Sequence, residues 1–101
     1  MTKEVQEKFI ENLFTEMKGI LLSKGNDYAN KDVLSNFKLA GDICGIGAKI
    51  NCLSLIATKV ARLGVLLNSD SAPNNESIQD SVIDLANYSI LLSMIIEDEA
   101  T

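Results

Sequence analysis

The segment from Cys52 to Leu67 is apolar and has helical spacing, yet it carries two cations near its centre, Lys59 and Arg62. At 3.6 residues per turn these cations lie about one turn apart, on a stripe that also holds Cys52, Leu55 and Leu66. A charged group on a stripe that faces a core must find an anion, because burying it alone is costly. The segment therefore predicts a helix whose cations meet either acidic side chains of the same chain or an anionic ligand.

The last predicted helix offers acids at matching helical spacing. Asp80 and Asp84 are one turn apart, and Asn87 and Tyr88 follow one turn later. Apolar residues cover more than half of this helix, so little of it can face water. Two alternatives stay open: Lys59 and Arg62 form internal ion pairs with Asp80 and Asp84, or these groups together hold an anionic ligand and its metal.

Composition bounds the class of protein. The chain has 101 residues, of which 47% are hydrophobic, enough for one modest core and no second domain. For so short a helical chain this fraction also predicts surplus apolar surface, and we expect a homo-oligomer, most simply a symmetric dimer. The net charge of −5 argues against a nucleic-acid polymer as partner. The absence of histidine removes imidazole catalysis and most zinc sites.

Cysteine usage and hydropathy predict a compartment. Cys44 and Cys52 are too few and too oddly placed for a disulfide framework or a zinc cage, so we expect two buried thiols in a reducing cytoplasm. The charged, amphipathic N-terminus does not resemble a signal peptide. No uncharged apolar run reaches the ~18 residues of a membrane span, so we expect no membrane association.

Periodicity predicts four helices. Their expected ranges are 4–23, about 32–40 with Asp32 as N-cap, about 48–67, and 75 to about 96 with Asn75 as N-cap. The segment Gly41–Gly47 is expected to end the second helix, and the polar run 68–75 is the clearest loop. No window alternates polar and apolar residues for long enough to predict a strand. The expected fold is all-α: an antiparallel bundle of four helices, one of them short, forming a single domain 1–101 that oligomerisation completes.

Two loop segments are candidates for binding. In Lys24-Gly-Asn-Asp27-Tyr28, the residues form either an ordinary helix end and turn, or a loop that presents Lys24, Asp27 and Tyr28 to a pocket, with Tyr28 stacking on a ring. The glycine-containing segment Gly41–Gly47 precedes a helix and could cradle phosphate, but no strand or Walker spacing accompanies it. A plain connection between helices is the favoured interpretation there.

Three motifs in order resemble a known family. They are Lys24-x-x-Asp27-Tyr28, Lys59-x-x-Arg62, and Asp80-x-x-x-Asp84-x-x-Asn87-Tyr88. This arrangement, covering about Leu22 to Leu92, resembles the nucleotide-modification-associated domain family of small helical proteins, common in bacteriophages and loosely grouped with all-α MazG-like nucleotide pyrophosphohydrolases. The resemblance implies a nucleotide or nucleotide-like ligand, a phage or prophage origin, and a location in the cytoplasm of the bacterial host.

The chain departs from the MazG-like pattern at the metal site. Enzymes of that class carry paired acids on two core helices, which together bind Mg²⁺. The third helix here has no carboxylate anywhere from Ala48 to Leu67, and instead presents Lys59 and Arg62. A two-metal site needs several converging carboxylates. This departure favours binding over hydrolysis.

Three functional hypotheses follow. The first is a nucleotide-binding protein needing no cofactor, which could sequester a signalling nucleotide used in bacterial immunity. Its expected ligand-binding residues are Lys24, Asp27, Tyr28, Asn36, Lys59, Arg62, Asp84, Asn87 and Tyr88. The second is a Mg²⁺-dependent nucleoside triphosphate pyrophosphohydrolase with Asp80 and Asp84 as metal ligands. The third is a structural or partner-binding bundle with an internal ion-pair network.

Overall fold

A computed structural model describes the backbone of residues 1–26, 32–69 and 75–101, and all their side chains except those of 24–26, 75 and 76. These ranges contain four helices and no strand, which confirms the all-α helical prediction. The helices are α1 (Lys3–Asn26), α2 (Ser35–Cys44), α3 (Gly47–Leu67) and α4 (Asn75–Ala100).

The chain divides into two compact units, Met1–Val33 and Leu34–Thr101. The first unit consists mainly of α1, whose heptad-like apolar pattern predicts an inward face. Within α1 Met17 is buried, whereas Phe9 and Ile10 on the same predicted face are exposed. The helix forms as the spacing predicts, but its first two turns do not bury their apolar side chains.

The second unit contains α2, α3 and α4. Helix α3 contacts both α2 and α4. Its core is a cluster of five buried residues contributed by all three helices and the residue before α2, with half-buried apolar side chains packed against it. The five are Leu34, Phe37, Ala48, Cys52 and Ile95.

Helix α2 differs from the prediction at both ends. It begins at Ser35 without a side-chain cap, so Asp32 is not its N-cap, and it continues through Gly41 to Cys44. Gly41 is buried, and a Cβ there would lie 2.3 Å from the carbonyl carbon of Gly47. Gly41 is therefore a contact point between backbones and not a helix breaker.

The residue that ends α2 is Gly45. It adopts a left-handed conformation with φ of 71°, which glycine reaches without steric cost. Its N–H donates to the carbonyl of Asp42 at 3.1 Å, and the N–H of Ile46 donates to that of Gly41 at 2.9 Å. The segment Gly41–Gly47 is thus a tight connection from α2 to α3, in agreement with the interpretation that the sequence favours.

Helix α4 runs four residues beyond the predicted end at Ile96. Acids near a helix C-terminus are unfavourable because of the helix dipole, which is why the sequence predicts an earlier end. Two lysines from other helices offset this: Lys38 Nζ lies 2.9 Å from Asp98 Oδ2, and Lys49 Nζ lies 3.1 Å from Glu99 Oε2. At the other end Asn75 is the first helical residue, and its predicted capping side chain lies outside the described residues.

Candidate functional site

Three contacts fix the register of α3 against α4. The thiol of Cys52 donates to the carbonyl of Tyr88 at 3.4 Å, Lys59 pairs with Asp84, and Arg62 bonds Ser77. Residue numbers rise along α3 as they fall along α4, so the two helices are antiparallel. The register brings the predicted cations of α3 to the predicted polar residues of α4. We call Lys59, Arg62, Ser77, Asp80, Asp84 and Asn87 the polar strip.

Lys59 meets an internal acid. Its Nζ lies 3.0 Å from Oδ2 of Asp84, and the two side chains expose only 25% and 31% of their surface. Of the alternatives that the sequence leaves open, the internal ion pair is therefore the one found for Lys59. A half-buried pair of this kind orients both side chains, but it contributes only on the order of 1 kcal/mol to stability.

Arg62 differs from Lys59, although it lies less than one turn away. Its Nη2 donates to Oγ of Ser77 at 3.2 Å, and the residue is exposed. A guanidinium has five N–H donors in a planar fork that fits a carboxylate or a phosphate. No ion pair joins Arg62 to an acid among the described residues, so most of its donors remain available.

Asn87 is the most unusual residue of the strip. It exposes only 4% of its surface. Both polar atoms of its amide, Nδ2 and Oδ1, are buried without a hydrogen-bond partner among the described residues. An unsatisfied buried amide costs about 1–3 kcal/mol, so its retention calls for an explanation such as a bound water, ion or ligand.

The predicted magnesium ligands Asp80 and Asp84 are one turn apart on α4. Asp84 is engaged by Lys59, and Asp80 is exposed. Within the described parts of the chain, no three acidic or cysteine side chains lie close enough to hold a metal ion. Asp80 and Asp84 stay predicted Mg²⁺ ligands under the hydrolase alternative, and no third acidic or cysteine side chain of the described residues forms a group with them.

The remaining predicted site residues lie away from the polar strip or outside the residues that the structure describes. Tyr88 is half-buried and packs against the core cluster, so it does not stand in the strip as a stacking platform. Asn36 is exposed on α2, with no hydrogen bond to another described residue. Asp27 and Tyr28 lie outside the described residues, as does the side chain of Lys24.

Sequence reasoning missed the role of Ser77. Its hydroxyl accepts from Arg62, and its carbonyl accepts a hydrogen bond of 2.9 Å from the buried hydroxyl of Ser81. The spacing of Ser77, Asp80, Asp84 and Asn87, in steps of three and four, does place Ser77 in a polar strip of α4 from the sequence alone. It could not have indicated that the first cation pairs with an acid and the second with a hydroxyl.

The two thiols differ from each other, and one prediction about them is wrong. Cys52 is fully buried as expected, and burial raises the pKa of its thiol above the ordinary value of 9.0. Cys44 is exposed, because α2 continues past Gly41 and turns its last residue outward.

Helix α3 also bears on the membrane prediction. The helix is long enough and apolar enough to cross a membrane, although it carries two charges near its centre. Length and composition alone are weak evidence for a span.

Comparison with known proteins identifies no relative. No family model matches the chain, and neither a curated protein nor a solved structure shows significant similarity to it. The resemblance to the nucleotide-modification-associated domain family stays a prediction that rests on the three motifs.

Proposed function

We propose that the protein binds a small phosphate-bearing ligand, a nucleotide, along the polar strip. The observation that carries this proposal is Asn87, a buried amide whose donor and acceptor are both unused. A nucleobase edge offers an acceptor and a donor side by side, which an asparagine amide can match in two parallel hydrogen bonds. Both amide atoms are buried, so a nucleobase edge reaches them only if the side chains that cover Asn87 move aside on binding.

Arg62 supplies the anion contact. Its exposed guanidinium retains donors in the fork geometry that phosphate oxygens match. The α4 partner of Arg62, Ser77, lies ten residues from Asn87, or about 15 Å along the helix axis. The ligand is therefore elongated, with an anionic group at one end and a hydrogen-bonding ring at the other, as in a nucleotide.

Lys59 and Asp84 act as positioning residues. Their ion pair lies between the two ends of the strip and leaves no net charge there. The pair holds α3 and α4 in register, so that Arg62 and Asn87 stay at a fixed separation. If the ligand carries several phosphates, one of them replaces Asp84 as the anion that pairs with the ammonium of Lys59.

Binding without turnover is the favoured activity, because the described part of the chain brings together no set of metal-ligating acids. A phage protein of this kind would lower the free concentration of a signalling nucleotide, which requires affinity alone. The alternative is Mg²⁺-dependent release of pyrophosphate with Asp80 and Asp84 as ligands.

Isothermal titration against linear and cyclic nucleotides, with inorganic phosphate as a reference, tests the proposal. We expect at least one nucleotide to bind, with Arg62→Gln weakening it 10-fold or more. The matched control is Lys49→Gln, which removes a cation of the same helix outside the strip and should leave affinity unchanged. Failure of every nucleotide to bind the wild-type protein would refute the proposal.

Asn87→Leu separates a ligand contact from a mere packing defect. Replacing an unsatisfied buried amide by an apolar group of similar size should raise the free energy of unfolding by about 1 kcal/mol. If the amide contacts the ligand, the same variant loses nucleotide binding although it is more stable. A stabilised variant with undiminished affinity would contradict the role given to Asn87.

Asp80→Asn distinguishes the two activities. Asp80 lies one turn from Ser77 on the strip, where its charge repels a phosphate held by Arg62. Under the binding proposal the variant binds a nucleotide two- to five-fold more tightly without Mg²⁺. Under the hydrolase alternative the wild type releases pyrophosphate from a triphosphate and the variant does not.

A further inference from the structure

The side of α3 that faces away from α2 and α4 carries a regular apolar stripe. Its seven residues recur in steps of 4, 3, 4, 3, 4 and 3, and every one of them is exposed. We call this stripe the outer seam; it consists of Ile46, Ile50, Leu53, Ala57, Val60, Gly64 and Leu67. The spacing is that of a coiled-coil seam, in which apolar residues mesh with those of a second helix.

Within the unit Leu34–Thr101, neither α2 nor α4 covers this stripe. The residues by which α3 packs internally, such as Cys52 and Leu63, are buried on its opposite side. A soluble helix ordinarily presents polar residues where it leaves the core. The outer seam instead exposes five large aliphatic side chains, Leu67 by as much as 66%.

Helix α4 adds further exposed apolar surface beside α3. The ion pair between Lys49 and Glu99 joins the two helices, and Val82 and Ile96 of α4 are exposed. The face is apolar at its centre and charged at one end, as protein interfaces are. Two helices about 30 Å long and 10 Å apart give it a footprint on the order of 600 Å².

Gly64 gives the most specific indication of what covers the seam. Glycine inside a helix is less favourable than alanine, so its presence calls for a reason. Gly41 has one within the chain, because backbone lies against it, whereas a Cβ on Gly64 would meet nothing within 4 Å. The space above Gly64 is therefore open in the single chain, and close approach by another molecule would explain the missing side chain.

One pair of residues in the outer seam is complementary in the antiparallel direction. Ala57 is its middle residue, and Ile50 and Gly64 lie seven residues to either side of it. If two copies of α3 cross at Ala57, Ile50 of the partner subunit lies over Gly64, and the reverse contact forms by symmetry. A large residue then fills the space over a glycine, and two small alanines meet at the closest point.

We propose that the outer seam is the interface of a symmetric homodimer, in which α3 packs antiparallel against α3 of a second copy. The footprint is close to the ~800 Å² that each partner contributes to an interface of standard size. The sequence predicts an oligomer from its surplus apolar surface, and this proposal assigns the surface and the direction of pairing. It does not depend on nucleotide binding.

Sedimentation equilibrium of the purified chain tests the proposal. We expect a mass twice the 11.0 kDa of one chain at micromolar concentration. Val60→Asp, at the centre of the seam, should give a monomer. The matched control is Val65→Asp, which alters a more exposed valine of the same helix outside the seam and should leave the dimer intact. Circular dichroism confirms that both variants retain their helices.

A pair of glycine variants tests the contact over Gly64 without adding charge. Gly64→Ala should weaken the dimer by 10-fold or more, because the new methyl group occupies the space that Ile50 of the partner subunit fills. Gly19→Ala, at an equally open glycine of α1, should leave the dimer unchanged. Both changes favour helix formation, so a loss of association cannot be attributed to unfolding.

Three results would overturn the proposal. The first is a monomeric wild type at tens of micromolar. The second is a dimer that survives both Val60→Asp and Gly64→Ala, which would place the interface elsewhere. The third is a monomer that floats with phospholipid vesicles, with Val60→Asp abolishing flotation, which would make the seam a lipid-binding surface.

Discussion

Lys59 and Val60 are consecutive residues of α3, yet the rotation of about 100° between them places Lys59 in the polar strip and Val60 in the outer seam. The inner side, toward α4, carries the two cations, and each has a partner there. The outer side carries no charge along the seam, and neither α2 nor α4 covers it. An ordinary surface helix shows the reverse distribution. The proposed dimer would explain this distribution, because one side of α3 would carry the polar strip and the other would be covered by a second copy.

The test with the largest expected effect compares substitutions of two adjacent isoleucines of α4. Ile95 is fully buried in the core, and Ile96 exposes 53% of its surface. We expect Ile95→Ala to lower the free energy of unfolding by about 3 kcal/mol, since it leaves a cavity, and Ile96→Ala to lower it by under 1 kcal/mol. Chemical denaturation below the dimer dissociation constant measures both. Equal effects would show that the two sides are not distinct.

Substitution of Gly41 tests how closely the backbones of α2 and α3 pack. A methyl group there would overlap the backbone of Gly47 and Ala48, and backbone cannot move aside as a flexible side chain can. We expect Gly41→Ala to destabilise the protein by about 2 kcal/mol. Thermal unfolding of the variant, compared with Gly19→Ala, measures the effect. A variant as stable as Gly19→Ala would mean that α2 can shift along α3.

The Lys59–Asp84 pair tests whether the inner charges serve stability. Asp84→Leu alone leaves a half-buried ammonium without its anion and should cost about 1 kcal/mol. Adding Lys59→Met should restore wild-type stability or exceed it, because apolar residues of similar volume pack well at such positions. A double-mutant cycle followed by denaturation gives the coupling energy. If the double variant fails to fold, the pair is a structural requirement and not a device for positioning.

The smallest effect concerns Cys52. Burial raises the pKa of its thiol in the folded state above 9.0, so the unfolded chain ionises first as pH rises. The corresponding stability is fully present below about pH 9 and declines as pH approaches the folded-state pKa. Cys52→Ala should remove this part of the alkaline decline, whereas Cys44→Ser should not. Denaturation midpoints between pH 7 and 10.5 report the difference.

The sequence was sufficient to predict the helices, because apolar spacing and turn residues are local signals. It failed where a local signal had a tertiary reason. Gly41 is a helix breaker by composition, but it lies within α2 because another backbone packs against it. The acids after Ile96 suggest a helix end, but Lys38 and Lys49, distant in sequence, neutralise two of them.

The candidate site was predictable in part for a similar reason. Helical spacing correctly placed Lys59 and Arg62 opposite the polar face of α4. Which cation of α3 contacts which side chain of α4 depends on the axial register of the two helices. Helical periodicity alone does not determine that register. The register assigns an aspartate to Lys59 and a serine to Arg62, and it leaves Asn87 buried with an unused amide.

The two ion pairs at the end of α4 have a consequence for local motion. Asp98 and Glu99 are tied to Lys38 on α2 and Lys49 on α3, and these side chains are about half exposed. Surface pairs weaken as salt shortens the range of electrostatic attraction. Amide hydrogens in the last turn of α4 should therefore exchange with solvent faster at 1 M salt than at 0.05 M, while those beside Ile95 exchange at an unchanged rate.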